Sequence, residues 1–204
     1  ESLLRKQPRT AIDDARVAAM RAAAISPAHD ARIRRLLFLA LTSGARIDLV
    51  TATAGTKDAD WQVRRLALLA MASPAIEKTP RAPEALAAVQ ARLADPDFQV
   101  RLEAAKLAGR FGDCAAVAAR LRDAAVPVVL QALDSLPNTC RADTGVIASL
   151  QAMASDGAAR WQVTTRAVSA LSRLSPEVAG PLAASPAFAA HPVWQARAAV
   201  AATA

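Results

Sequence analysis

One motif returns along this chain at the spacing of a helix pair, and it constrains the fold more than any other feature. Asp58-Ala-Asp-Trp-Gln-Val-Arg-Arg-Leu-Ala67 resembles Asp95-Pro-Asp-Phe-Gln-Val-Arg-Leu-Glu-Ala104. Gly157-Ala-Ala-Arg-Trp-Gln-Val-Thr-Thr-Arg-Ala167 and His191-Pro-Val-Trp-Gln-Ala-Arg-Ala-Ala-Val200 repeat it. Weaker copies begin at Asp30 and Asp123. Taking the aromatic residue, or its stand-in, as the register mark gives Ala31, Trp61, Phe98, Val128, Trp161 and Trp194, at intervals of 30, 37, 30, 33 and 33 residues. Such a period holds two helices of about ten to fifteen residues and two turns, and a unit of that size buries its apolar face only against a neighbouring copy.

Composition agrees with helix. Alanine fills 54 of the 204 positions, aromatics are 3% and tyrosine is absent, which disfavours the aromatic and β-branched strands of a sandwich or barrel. Proline directly follows an N-cap oxygen at Ser26-Pro27, Ser73-Pro74, Asp95-Pro96, Ser175-Pro176 and Ser185-Pro186. Gly44, Gly112 and Gly157 fall where helices end. The pattern predicts first (A) helices at 30–43, 60–72, 96–110, 125–136, 158–173 and 192–203. Second (B) helices are predicted at 46–55, 82–94, 114–123, 144–155 and 176–184. A further helix at 10–25, capped by Thr10, precedes them, and the Pro- and charge-rich Ser73 to Pro83 reads as an inserted loop. In the copy after Trp61, Val63, Leu66, Ala67 and Ala70 share one face, where small alanines let helices approach closely.

These residues resemble the HEAT-repeat family, in particular its short bacterial members. Asp95-Pro96, Val100, Arg101, Ala104 and Ala105 follow the family pattern best, and Asp58, Val63, Arg64 and Ala67 nearly as well. Thr164 and Gln131 take the arginine's place in two copies, and the last copy lacks the aspartate. The resemblance spans roughly residues 28 to 204. It implies an all-α fold, a right-handed α-solenoid of antiparallel helix pairs in about six repeats. It also implies extended surfaces of the kind that scaffolds and adaptors present. The helix at 10–25 lacks a partner and the helix at 192–203 lacks its B helix, so residues 1–204 are expected to be one repeat array cut from a longer protein. Bacterial arrays of this type also occur joined to catalytic domains such as cyclophilin-like peptidyl-prolyl isomerases, which would lie outside this chain.

Nothing in the chain assembles a catalytic centre. His29 and His191 each stand in a turn before an A helix, and no His-Glu pair exists to supply the iron ligands used by HEAT-repeat hydroxylases. No Gly-rich phosphate loop or Gly-x-Ser-x-Gly elbow is present. No cofactor or metal site is expected. The apolar runs Leu36 to Leu41 and Leu66 to Ala72 fall far short of the roughly 18 residues that span a bilayer and read as buried helix segments.

The formal charge of +7, carried by 21 arginines and 4 lysines, raises the question of nucleic acid. Most arginines lie on or beside A helices, whereas the family's concave face is lined by B helices. The arginines Arg34, Arg64, Arg101 and Arg197 at the repeated position are expected to pair with acidic turn residues. What remains is a central surplus at Arg92, Arg120, Arg122 and Arg141, with Arg81 at its approach. That surplus is the expected contact surface for a protein or peptide partner, and its lack of a continuous stripe argues against nucleic acid. Trp61, Phe98, Trp161 and Trp194 are expected to pack between repeats, with Trp161→Ala costing ~3–5 kcal/mol if that side chain is buried.

Cys114 and Cys140 follow the A helices of adjacent repeats. Two thiols cannot fill a four-ligand zinc site. Asp113 would raise the Cys114 pKa, so a reactive thiolate is not expected. Connections of this kind stack about 10 Å apart, near enough for a disulfide after a modest shift, and equally compatible with two free thiols. A bridge would indicate an extracytoplasmic compartment, free thiols the cytoplasm.

Overall fold

The computed structural model describes residues 13–73, 76, 83–185 and 194–201, and every regular element among them is helical. The chain forms two compact units, Glu1–Arg81 and Ala82–Ala204.

Unit 1 contains α1 (Asp14–Ala24), α2 (Ala31–Ser43), α3 (Leu49–Gly55) and α4 (Trp61–Met71). Each begins at an aspartate whose side chain accepts a backbone N–H of the first turn: Asp13 from Arg16, Asp30 from Arg32, Asp48 from Thr51 and Asp60 from Val63. These caps satisfy donors that a helix start leaves unpaired. Helix α1 packs on α2 and α3, and α4 packs on α2 and α3. The core is built from Val17, Phe38, Leu41, Val63, Ala67 and Leu68. Gly55 is part of that core, because a Cβ there would stand 2.2 Å from the Phe38 ring.

Unit 2 contains α5 (Pro83–Arg92), α6 (Phe98–Arg110), α7 (Cys114–Ala118), α8 (Val126–Ser135), α9 (Thr144–Ser155), α10 (Trp161–Leu174), α11 (Pro176–Ala183) and α12 (Trp194–Ala201). Here α6 packs on α8, α8 on α10 and α10 on α12, while α5, α9 and α11 cover α6 and α10. The expected B helix at 114–123 is only half α-helical: α7 passes into a 3-10 turn at Ala119–Arg122. A second 3-10 turn, Asn138–Ala142, joins α8 to α9. Thr10, most of the inserted segment, Arg81 and His191 lie outside the described residues.

Three sequence readings need correction. The fourth register mark is Val126, not Val128. Asp58, Asp95 and Asp123 each accept a backbone N–H two residues on, from Asp60, Asp97 and Ala125, and the helix starts at the following residue. Val128 then aligns with Val63 and Val100, all three fully buried, and Val129 rather than Gln131 takes the arginine's place. Proline at position 127 hid this register, because it replaces the glutamine that follows each aromatic.

The aromatic marks are not core residues. Phe98, Trp161 and Trp194 are 40%, 38% and 64% exposed. Each is the first residue of its helix. The buried positions are the valine two residues on in three copies, Val63, Val100 and Val128, and the alanine six residues on, Ala67, Ala104, Ala132 and Ala167, all fully buried. Trp161→Ala should therefore cost only about 2 kcal/mol by urea denaturation, since partial burial is lost but no closed cavity forms.

Helix ends also differ from expectation in detail. Gly44 stays right-handed, and the left-handed residue after α2 is Ala45, at φ 53°. The 6→1 and 5→2 bonds of a Schellman end are present there, Arg46 N–H to Leu41 O and Ala45 N–H to Thr42 O. At the end of α6 the same two bonds form with Gly112 at φ 76°.

Gly109 in α6 meets α8 directly: a Cβ would stand 2.1 Å from the Ser135 carbonyl oxygen. Gly109→Ala should lose about 1–2 kcal/mol in chemical denaturation, because overpacking against rigid backbone outweighs the roughly 1 kcal/mol gain in helix propensity.

Candidate functional site

The arginine four residues into an A helix serves the fold. In unit 1, Arg34 donates to the His29 carbonyl behind it and makes a two-pronged pair with Asp58, Nε and Nη2 at 2.7 and 2.8 Å. In unit 2, Arg101 donates to the carbonyls of Asp95 and Pro96 and pairs with Asp123 through two bonds of 2.8 Å. Arg64 reaches back to the Asp58 and Ala59 carbonyls in the same way. The side chains of Arg34, Asp58 and Asp123 are nearly inaccessible, and that of Arg101 largely so. Burial alone would push the Asp58 carboxyl up, but the hydrogen bond from Arg34 and the Asp60 N–H outweigh it and hold it below the usual range. The Arg101 hydrogen bond does the same for Asp123. These pairs bind one repeat to the next and leave the guanidinium planes committed.

The four central arginines occupy three separate places. Arg92 pairs with Asp95 at 3.2 Å, and Arg120 donates to the Leu93 carbonyl at 2.8 Å beside Asp123. Both belong to the turn network around Arg101. Arg122 is exposed at a hollow of about 250 Å³ lined also by Leu121, Asp143, Val146 and Ser149. Arg141 is exposed, and its Nη2 donates to the Arg173 carbonyl at 3.0 Å.

Arg141 thereby adjoins the larger cleft, of about 560 Å³, at the C-terminal ends of α6, α8 and α10. Its polar lining is Lys106 and Arg110 from α6, Gln131 and Asp134 from α8, Asn138 from the following turn and Arg173 from α10. The one carboxylate in that lining, Asp134, is held by Arg166 Nε at 2.9 and 3.0 Å. Burial first, then the neighbouring charge of Arg141, pushes the Arg173 guanidinium below its ordinary value. The cleft is therefore electropositive and sized for a peptide side chain or two. Sequence reasoning passed over Lys106, Arg110 and Arg173 as ordinary A-helix residues. A signal was present: Arg110 and Arg173 each stand twelve residues after the first residue of their helix.

Cys114 and Cys140 are joined by a disulfide, with Cα atoms 5.3 Å apart. It fastens the start of α7 to the 3-10 turn that carries Asn138, and Thr139 Oγ1 adds a bond to the Gly112 carbonyl at 3.0 Å. His29 is an exposed turn residue. Among the described residues no group of histidine, cysteine, aspartate or glutamate is arranged to hold a metal ion, and no helix is long and apolar enough to cross a membrane.

No curated protein matches the chain. Residues 49–137, from α3 to the turn after α8, match the family model for HEAT repeats. The repeated helix pairs, the capped aspartate turns and the arginine that joins successive repeats are the physical content of that match, and residues 49–137 are built of HEAT repeats.

Proposed function

We propose that this chain is a non-catalytic scaffold that holds a protein partner, and that the basic cleft of unit 2 receives an acidic segment of it. The supporting observation is the cleft's charge: Lys106, Arg110 and Arg173 face it, while its one carboxylate is already held by Arg166. Cations beside a concave surface attract carboxylates and set the register of a bound chain. The Cys114–Cys140 bridge further supports placement in an oxidising, extracytoplasmic compartment.

The test is fluorescence anisotropy with a labelled glutamate-rich peptide and its glutamine counterpart. The glutamate peptide should bind more tightly, and K106E/R173E should weaken it by about tenfold or more. R16E/R32E, a control of equal charge change in unit 1, should change it by less than about twofold. Equal losses in the two variants would reduce the binding to bulk charge and overturn the cleft. A single-stranded DNA of equal charge binding more tightly than the peptide would replace the protein partner with nucleic acid.

A further inference from the structure

The Cys114–Cys140 bridge holds the turn that carries part of the cleft's rim. The 3-10 turn Asn138–Ala142 supplies Asn138 to the lining and Arg141 to the edge, with Cys140 between them. Glu177 on α11, within reach of the charge of Arg141, is taken by the Ser175 hydroxyl. A 3-10 turn holds itself poorly. Its backbone bonds here include Cys140 N–H to Pro137 O and Asp143 N–H to Cys140 O, and no side chain caps its start. Its neighbours fix it in place. Thr139 Oγ1 donates to the Gly112 carbonyl and Cys140 is bonded to Cys114, both in the chain that follows α6. Arg141 Nη2 donates to the Arg173 carbonyl at the end of α10. Both of those hydrogen bonds are exposed, so water competes for them. The disulfide is the fastening that water cannot exchange.

Its two sulfurs differ in access. Cys140 is fully buried, whereas Cys114 is half-buried at the start of α7. A protein dithiol therefore meets Cys114 first. Its thiolate bonds to Cys114 Sγ, the bridge breaks, and the electron pair leaves on Cys140 Sγ, which takes a proton. The second thiolate of the dithiol then attacks the mixed disulfide. Cys114 departs as a thiolate and is protonated, and the dithiol ends as a disulfide. Two electrons and two protons pass to the protein. Unit 2 keeps its core in either state, because Val100, Ala104, Val128, Leu133 and Leu171 are buried in α6, α8 and α10, which pack together without the bridge.

We propose that the Cys114–Cys140 bridge is a redox latch on the basic cleft. Oxidised, it holds Asn138 and Arg141 at the rim, where they meet the bound acidic segment. Reduced by a protein dithiol, it frees the turn and lowers the affinity. The latch rests on the cleft reading above and adds its regulation.

The test measures the glutamate-rich peptide against the oxidised protein, the protein reduced with dithiothreitol under native conditions, and the reoxidised protein. Reduction should weaken binding by about fivefold or more, and reoxidation should restore it. Asn138 and Arg141 are exposed, so N138A/R141A should stay folded. In that variant reduction should change the affinity by less than about twofold, because the turn has nothing left to withdraw. Equal losses in variant and wild type would mean general loosening and overturn the latch. So would a bridge that resists dithiothreitol until urea unfolds the protein. Amide hydrogen exchange gives a reading without peptide: residues 138–142 should exchange faster after reduction, while α8 and α10 keep their protection. Unchanged exchange in the turn overturns the latch. Failure of the peptide to bind either form would remove the cleft, and exchange would still decide whether the bridge controls the turn.

Discussion

Replacing Asp123 with alanine is expected to destabilise unit 2 by about 3–5 kcal/mol, the range for removing one partner of a buried ion pair. The side chain is only 3% exposed and accepts from Arg101 twice and from the Ala125 N–H. Its loss strands a guanidinium that is itself 16% exposed and unpins the turn that starts α8. Urea denaturation followed by circular dichroism measures the effect, and a loss below about 1 kcal/mol would show the pair to be no stronger than a surface one. The effect also carries a pH signature. The folded Asp123 carboxyl lies below its ordinary value, chiefly through the Arg101 hydrogen bond. A depressed acid contributes in full above the unfolded value, near 3.9, and loses its contribution as pH falls through the folded value below that. Wild-type stability should therefore fall more steeply than that of D123A as pH drops below about 4. Parallel acid profiles would contradict the assignment.

The second large effect is reduction of Cys114–Cys140. The bridge closes a loop with a sequence separation of 26 residues, which corresponds to about 3.5 kcal/mol of restricted unfolded-chain entropy. C114S/C140S, or the wild type in excess dithiothreitol, should unfold at correspondingly lower urea. Because Cys140 is fully buried beside the turn bearing Asn138, the reduced protein should also bind the glutamate-rich peptide more weakly. A thiol titration of the denatured, unreduced chain should find no free thiol. Two thiols, or identical midpoints with and without reductant, would remove the bridge from the account.

Much of the fold was legible because its determinants are local and repeated. Aspartate caps and the Val-x-x-x-Ala spacing recur from copy to copy, and each reinforces the reading of the others. Apart from α7, which gives way to a 3-10 turn at Ala119, helix bounds from α2 to α11 fall within about three residues of expectation on the same ground. The reading slipped where one copy lost its mark, at Val126-Pro127, and only the hydrogen bond from Ala125 to Asp123 restored the register. The aromatics misled for a different reason. Recurrence shows that a position is constrained but not that it is buried, and Trp161 stands at a helix start with its side chain partly in water.

The candidate surfaces were far less legible, since charge along a sequence does not say which charges are spent. Arg92 and Arg120 looked like a free surplus, yet folding sets them against Asp95, Asp123 and the Leu93 carbonyl. Arg110 and Arg173 read only as arginines on or beside A helices, yet folding brings them with Lys106 to one cleft. Leu36 and Leu39 read as core by pattern, and α2 leaves them exposed. By itself the sequence determined the helices and their pairing, because periodicity and capping act within a few residues. The tertiary structure alone decided which of the central arginines are consumed in pairs, whether the two thiols meet and which apolar face stays open. Those outcomes depend on distances between residues some 22 to 32 positions apart, which no local pattern encodes.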